Sequence, residues 1–102
     1  MLNSLTVYDN ISIYIKQISS YDLLTEEEEK SLAKKWFYEK DLTAAQKLIV
    51  ANLRFVVKIA YQYKNYKMKM EDLIQEGNIG LMEAVKRFDP NQGVRLINYA
   101  SW

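Results

Sequence analysis

The sequence predicts an all-α fold: a compact helical bundle of four helices plus the start of a fifth. Three observations lead there. Only three glycines and one proline interrupt the 102 residues, so the periodic runs are long. Apolar residues recur at intervals of three and four along those runs, as the core-facing stripe of a helix requires. Hydroxyl and carboxylate residues stand just ahead of them, where helix N-termini need acceptors for unpaired N–H groups. The length suits a single helical domain spanning 1–102, and 49% hydrophobic with 26% charged residues provides for both a core and solubility. A domain this small buries a modest share of its surface, so marginal stability is expected.

Residues 1–23 read as an N-terminal helix and connector. Asp9 or Asn10 stands where a cap belongs, the stripe is Ile11, Tyr14, Ile15 and Ile18, and Ser19 to Asp22 is the connector. Residues 24–65 read as a helix pair. Thr25 followed by Glu28 is the capping-box pattern, in which a hydroxyl bonds an orphan N–H and a carboxylate reaches back. Glu26 to Glu29 then fall in the first turn, where the helix dipole favours negative charge. That structural reason suffices, and the run reads as a solvated face without a function. Leu32, Ala33, Trp36 and Phe37 supply the buried side.

Asp41 is placed to cap a third, long helix running to about Asn65. Its stripe is Ala45, Leu48, Ile49, Asn52, Phe55, Val56, Ile59, Ala60 and Tyr63. Asn52 is the one polar member, and a buried asparagine is usually satisfied by a neighbour. Residues 66–93 hold a loop, a fourth helix over about Met70 to Phe88, and the stop Asp89-Pro90-Asn91-Gln92-Gly93. Residues 94–102 begin the fifth helix, with Asn98 as a candidate cap. No internal repeat or low-complexity segment interrupts this order.

The composition excludes much chemistry. Without cysteine or histidine there are no disulfides, thiol nucleophiles, imidazole bases or common zinc ligands. Carboxylate-only sites stay open in principle, but the chain reads as a non-enzyme with no catalytic residue, metal ligand, cofactor or small-molecule substrate. The N-terminus lacks the basic-then-apolar order of a signal peptide. No apolar run approaches the ~20 residues that span a bilayer. A soluble cytoplasmic protein with no membrane partner is the expectation. The charge is uneven: residues 51–70 carry Arg54, Lys58, Lys64, Lys67 and Lys69 with no acid, interleaved with Tyr61, Tyr63 and Tyr66. That suits a solvated helix face, and it also suits a nucleic-acid backbone.

The fourth helix has two distinct sides. At 100° per residue Leu73, Ile74, Gly77, Leu81, Ala84, Val85 and Phe88 gather on one. A glycine inside a helix costs ~1 kcal/mol against alanine, so Gly77 and Gly80 are expected to admit another helix backbone. The opposite side gathers Asp72, Gln75, Glu76, Ile79, Met82, Glu83 and Lys86. Two apolar groups a turn apart inside a polar ring suit a protein-binding hot spot, and the acids call for an arginine or lysine on the partner.

These residues also carry a family resemblance. DLIQEGNIGLMEAVKRFDP resembles the core-binding segment of bacterial RNA polymerase sigma factors of the large housekeeping and heat-shock class. The likeness extends upstream through LTEEEEKSLAKKWFYEKDLTAAQKLIVANLRFVVKIAYQY and downstream into GVRLINYASW, so it covers the chain from about Leu24 onward. The wording GVRL and LRFVV looks closest to the heat-shock sigma subgroup. The resemblance implies that this helix docks on a coiled coil of the polymerase β′ subunit through Asp72, Gln75, Glu76, Asn78 and Met82. Ile79 joins them by spacing alone. It also implies that Tyr99 and Trp102 hold open the −10 promoter element, stacking on or beside an unpaired base of the non-template single strand. Base stacking of this kind is worth ~1–3 kcal/mol. Asn52 and Arg54 match a place near the displaced strand, for a second flipped base and its phosphate.

The family continues beyond the matching tryptophan, whereas this sequence stops at Trp102. The expectation is an N-terminal portion ending inside the −10 melting region, as a fragment, a truncated product or an incomplete reading frame. Such a chain is expected to bind polymerase core at reduced affinity and to lose promoter-directed initiation. The alternative reading is a helical interaction module that binds polymerase, or another partner, and never meets DNA.

Overall fold

Each helix begins where its sequence supplies an acceptor or a break. The computed structural model describes residues 11–64 and 67–100. Helix α1 (Ile11–Ser19) buries Tyr14 and Ile18, with Ile11 and Ile15 packed at the margin. Its expected caps, Asp9 and Asn10, lie outside the described residues. Helix α2 (Glu26–Glu39) opens on the expected capping box: the Glu28 N–H donates to Thr25 Oγ1 at 3.1 Å, and the Thr25 N–H donates to Glu28 Oε1 at 2.9 Å. It ends at Lys40, whose φ of 55° is left-handed, and the Lys40 ammonium lies 5.1 Å from the centre of the Trp36 ring.

The expected long third helix is broken in two, α3 (Leu42–Ala51) and α4 (Leu53–Gln62). Asp41 caps α3 as expected, accepting from the Thr43 and Ala44 N–H groups. The break is at Asn52, and the cause is local. The Asn52 side-chain amide donates to the Leu48 carbonyl at 2.7 Å, the acceptor its own backbone N–H would take in a continuous helix. That N–H bonds Ile49 O instead, at 3.0 Å. Asparagine competes with the backbone in just this way.

The buried residues of α3 (Ala44, Ala45, Leu48, Ala51) and of α4 (Leu53, Val56, Val57, Ala60) point in directions roughly 140° apart at 100° per residue. A single stripe does not describe them, because α3 packs on α2 and α5 while α4 packs on α5 and α1. Leu53 and Val57 therefore join the core, and Tyr63, expected in the stripe, is exposed.

Helix α5 (Met70–Arg87) runs through the middle of these contacts and buries Ile74, Leu81, Ala84 and Val85. Trp36 of α2 donates its indole N–H to Val85 O at 2.9 Å, tying α2 to α5. Gly77 is a packing residue, but what approaches is a side chain rather than a helix backbone. A Cβ there would sit 2.6 Å from Val56 Cγ1. A short 3₁₀ turn (Pro90–Gln92) and Gly93, at φ 74°, then reverse the chain into α6 (Leu96–Tyr99). Asn98, the expected cap, lies inside α6, and Arg95 occupies the cap position. There is no strand among the described residues, and no helix among them is long and apolar enough to cross a membrane.

Candidate functional site

The register of α5 fixes what its outer face offers. With Ile74, Leu81 and Val85 directed inward, Asp72, Gln75, Glu76, Ile79 and Met82 fall on one side. Ile79 is 54% exposed and Met82 43%, so both apolar side chains stand largely in water. Glu76 is exposed, and Asp72 and Gln75 are half-buried. At the C-terminal end Glu83 meets Lys86 at 3.4 Å and Arg87 at 3.7 Å. Such exposed pairs contribute little to stability. Beside this face runs a shallow groove between α4 and α5, floored by Val56, Ala60 and Gly77 and flanked by Glu76, Ile79 and Gly80.

Asn78, expected on the same face, is directed elsewhere. Its Nδ2 donates to the Tyr14 hydroxyl of α1 at 3.1 Å, and its Oδ1 is buried without a hydrogen-bond partner among the described residues. Burial raises the Tyr14 pKa above the ordinary 10.0, with the Asn78 bond acting in the opposite direction, so the phenol stays neutral. The structure thus brings five of the six expected docking residues together and turns the sixth toward α1.

The residues expected near DNA are partly assembled. Asn52 and Arg54 line an open groove with Lys58, Arg95 and Ile97. Its volume of about 550 Å³ falls within the range of about 300–1,000 Å³ usual for ligand sites. Tyr99 follows Ile97 on α6 but packs away from the groove. Its ring meets Phe88 edge-on at 5.5 Å, and its hydroxyl donates to the Arg87 carbonyl at 3.1 Å. Trp102 lies outside the described residues.

One side chain in this region overturns a sequence expectation. Glu29, read as part of a solvated run, is 3% exposed. Its Oε2 accepts from Arg95 Nε at 3.1 Å and from the Leu96 N–H at 2.9 Å, and its Oε1 accepts from Arg95 Nη2 at 3.4 Å. Arg95 Nη2 also donates to Leu24 O at 3.2 Å. The carboxylate supplies the acceptor that α6 lacks locally, which is why Asn98 is not needed as a cap. A signal was present: Glu29 lies four residues before Ala33 and seven before Trp36, on the buried side of α2. Arg95 offered none, because its partner is 66 residues away.

Residues 48–102 match the family model described as Sigma-70 region 2, and residues 9–36 match the one described as Sigma-70 factor, region 1.2. The RNA polymerase sigma-C factor of Myxococcus xanthus is 54% identical over 100 residues, covering 98% of this chain and 34% of that protein. The chain therefore spans about a third of the length of that curated relative.

Proposed function

This chain belongs to the sigma-70 family of transcription initiation factors, and from that membership we propose two contacts for it. The outer face of α5 binds RNA polymerase core, on the β′ coiled coil. The Asn52 groove and α6 contribute to recognition and melting of the −10 promoter element through its non-template strand. The observation that carries the reading is the exposed Ile79–Met82 pair, ringed by Asp72, Gln75 and Glu76, inside the segment that matches region 2. An apolar centre with an acidic rim suits a basic, partly apolar helical partner.

The test is to titrate polymerase core, and separately the isolated β′ coiled coil, with this chain. Gln75→Ala combined with Glu76→Arg should abolish measurable binding to both. Undiminished binding by that variant would remove the α5 face from the interface. In the ternary mixture with a non-template −10 strand, Asn52→Ala and Tyr99→Ala should each weaken strand retention.

A second reading, polymerase binding without DNA contact, is favoured by the engagement of Tyr99 with Phe88 and Arg87 O. Equal strand retention by all three chains would select it. The heat-shock type is a finer proposal, supported by the wording LRFVV and GVRL. Within that wording Leu53, Val56, Val57 and Leu96 are core residues and Arg95 bonds Glu29, so the subgroup rests on resemblance alone. Mapping the transcript starts made by the holoenzyme tests it: promoters unrelated to heat shock would exclude it.

A further inference from the structure

The acid-free segment 51–70 is not used up by the two contacts above. The structure sorts its side chains by direction. Arg54, Lys58 and Tyr61 stand at i, i+4 and i+7 of α4, within roughly 60° of one another at 100° per residue. All three are exposed, Tyr61 to 53%. They lie on the side of α4 turned from its buried stripe, whereas Tyr63 lines the groove shared with α5. The side chains of Arg54, Lys58 and Tyr61 make no hydrogen bond, ion pair or ring contact among the described residues.

A basic helix face by itself is the ordinary surface of a soluble protein. Two observations take this one further. Arg54 and Lys58 line the same groove as Asn52, so the face begins inside the proposed strand site and leads out of it. The acid lining that groove, Glu29, is already held by Arg95 and the Leu96 N–H, so it does not neutralise Arg54 or Lys58. One turn beyond Lys58 stands the Tyr61 ring. Cations that track a backbone beside an exposed aromatic ring are what single-strand sites combine. From Arg54 to Tyr61 the helix rises ~10 Å, enough for two or three nucleotides.

We propose that the Arg54–Lys58–Tyr61 face of α4 is a second single-stranded DNA subsite, continuous with the Asn52 groove. Arg54 and Lys58 hold successive phosphates, and Tyr61 stacks on a base that has left the groove. The proposal rests on the strand-binding reading above and adds Lys58 and Tyr61 to it.

The test uses this chain bound to polymerase core and fluorescence anisotropy of labelled oligonucleotides. One probe is the six-nucleotide non-template −10 strand, and two others carry six deoxythymidines added at one end or the other. One of the two extensions should tighten binding about tenfold. Tyr61→Ala should remove fivefold or more of that gain, and Lys58→Gln should lower the salt slope of the extended probe by ~0.7. Tyr61→Ala should leave the affinity of the short probe and the melting temperature unchanged, because Tyr61 stands outside the groove lining. The proposal is overturned if no extension tightens binding, or if both variants keep the full gain. Failure of the underlying reading has a different pattern: the short probe would bind Asn52→Ala and Tyr99→Ala as it binds the parent. A gain from extension that Tyr61→Ala removes would support the α4 subsite even then.

Discussion

The Glu29–Arg95 junction and the outer face of α5 are both built from acids near apolar groups, yet they differ in what they leave unsatisfied. At the junction one carboxylate takes two bonds from Arg95 and one from the Leu96 N–H, and Arg95 also reaches Leu24 O. Water is nearly absent from the carboxylate, and its partners come from the far end of the chain. On α5 the order is reversed: Glu76 is solvated and the apolar Ile79 and Met82 stand in water. The junction completes its chemistry inside the molecule, so its role is to fix where α6 begins. On the α5 face the apolar Ile79 and Met82 remain exposed, which is the state expected of a surface awaiting a partner. Four consecutive glutamates thus hold three on the surface and one, Glu29, in the core. Charge alone does not tell them apart; the contacts do.

The largest loss of stability is expected at Arg95. Removing a partner from a buried pair costs about 3–5 kcal/mol, because a charge is left without compensation. The Arg95 side chain keeps 36% of its exposure, so the lower end applies. Arg95→Ala should cost about 3 kcal/mol, a large part of the ~5–15 kcal/mol that holds small domains folded. Glu29→Ala should cost less, about 2 kcal/mol, since Arg95 can turn to water and only the Leu96 N–H is orphaned. Denaturant melts of the two variants check the order. If Glu29→Ala proved the worse of the two, the uncompensated charge left by Arg95→Ala would not be the dominant cost at the junction.

A smaller effect is expected where α4 and α5 meet. Alanine at Gly77 gains ~1 kcal/mol of helix propensity but drives a Cβ to 2.6 Å from Val56 Cγ1. Val56 is stiff at χ1 and fully enclosed, so relief requires backbone movement, and overpacking costs ~1–3 kcal/mol. Gly77→Ala should therefore lose about 1 kcal/mol net. Combined with Val56→Ala, the two losses should sum to less than their separate values, because the second substitution removes the atom the first one strikes. Strict additivity in a thermal-denaturation cycle would show that this contact is not why glycine stands there.

How far the sequence revealed these regions follows from the range of each interaction. The Thr25–Glu28 box, the Asp41 cap, the turn at Gly93 and the inner stripe of α5 are set by residues within a few positions, and all were legible. So was the outer face, because periodicity places Gln75, Ile79 and Met82 together whatever they meet. The break at Asn52 was half legible: a polar residue in an apolar seam was visible, but its bond to Leu48 O decides between a satisfied core amide and a broken helix. Asn78 sits at the edge of the face, where direction depends on Tyr14, 64 residues earlier. The Glu29–Arg95 pair was the least legible, since one partner lay hidden in a run of like residues and the other had no local cue.

The smallest stability effects are expected on the outer face of α5. Ile79 and Met82 are largely solvated, so truncating either to alanine should move folding stability by no more than about 0.5 kcal/mol. Binding to polymerase core should respond more strongly, each substitution costing at least ~1 kcal/mol if the pair is the desolvated centre of the interface. Arg95→Ala inverts that profile, with a large loss in the melt and little change in core affinity at temperatures well below its midpoint. Paired melts and titrations on the same preparations separate the two behaviours. Should Ile79→Ala lower the melting temperature as much as Gly77→Ala does, the outer face of α5 would belong to the fold, and core polymerase would have to be held by another surface. A stable Ile79→Ala chain that loses core instead assigns the solvated face to the partner, and leaves the enclosed carboxylate with the fold.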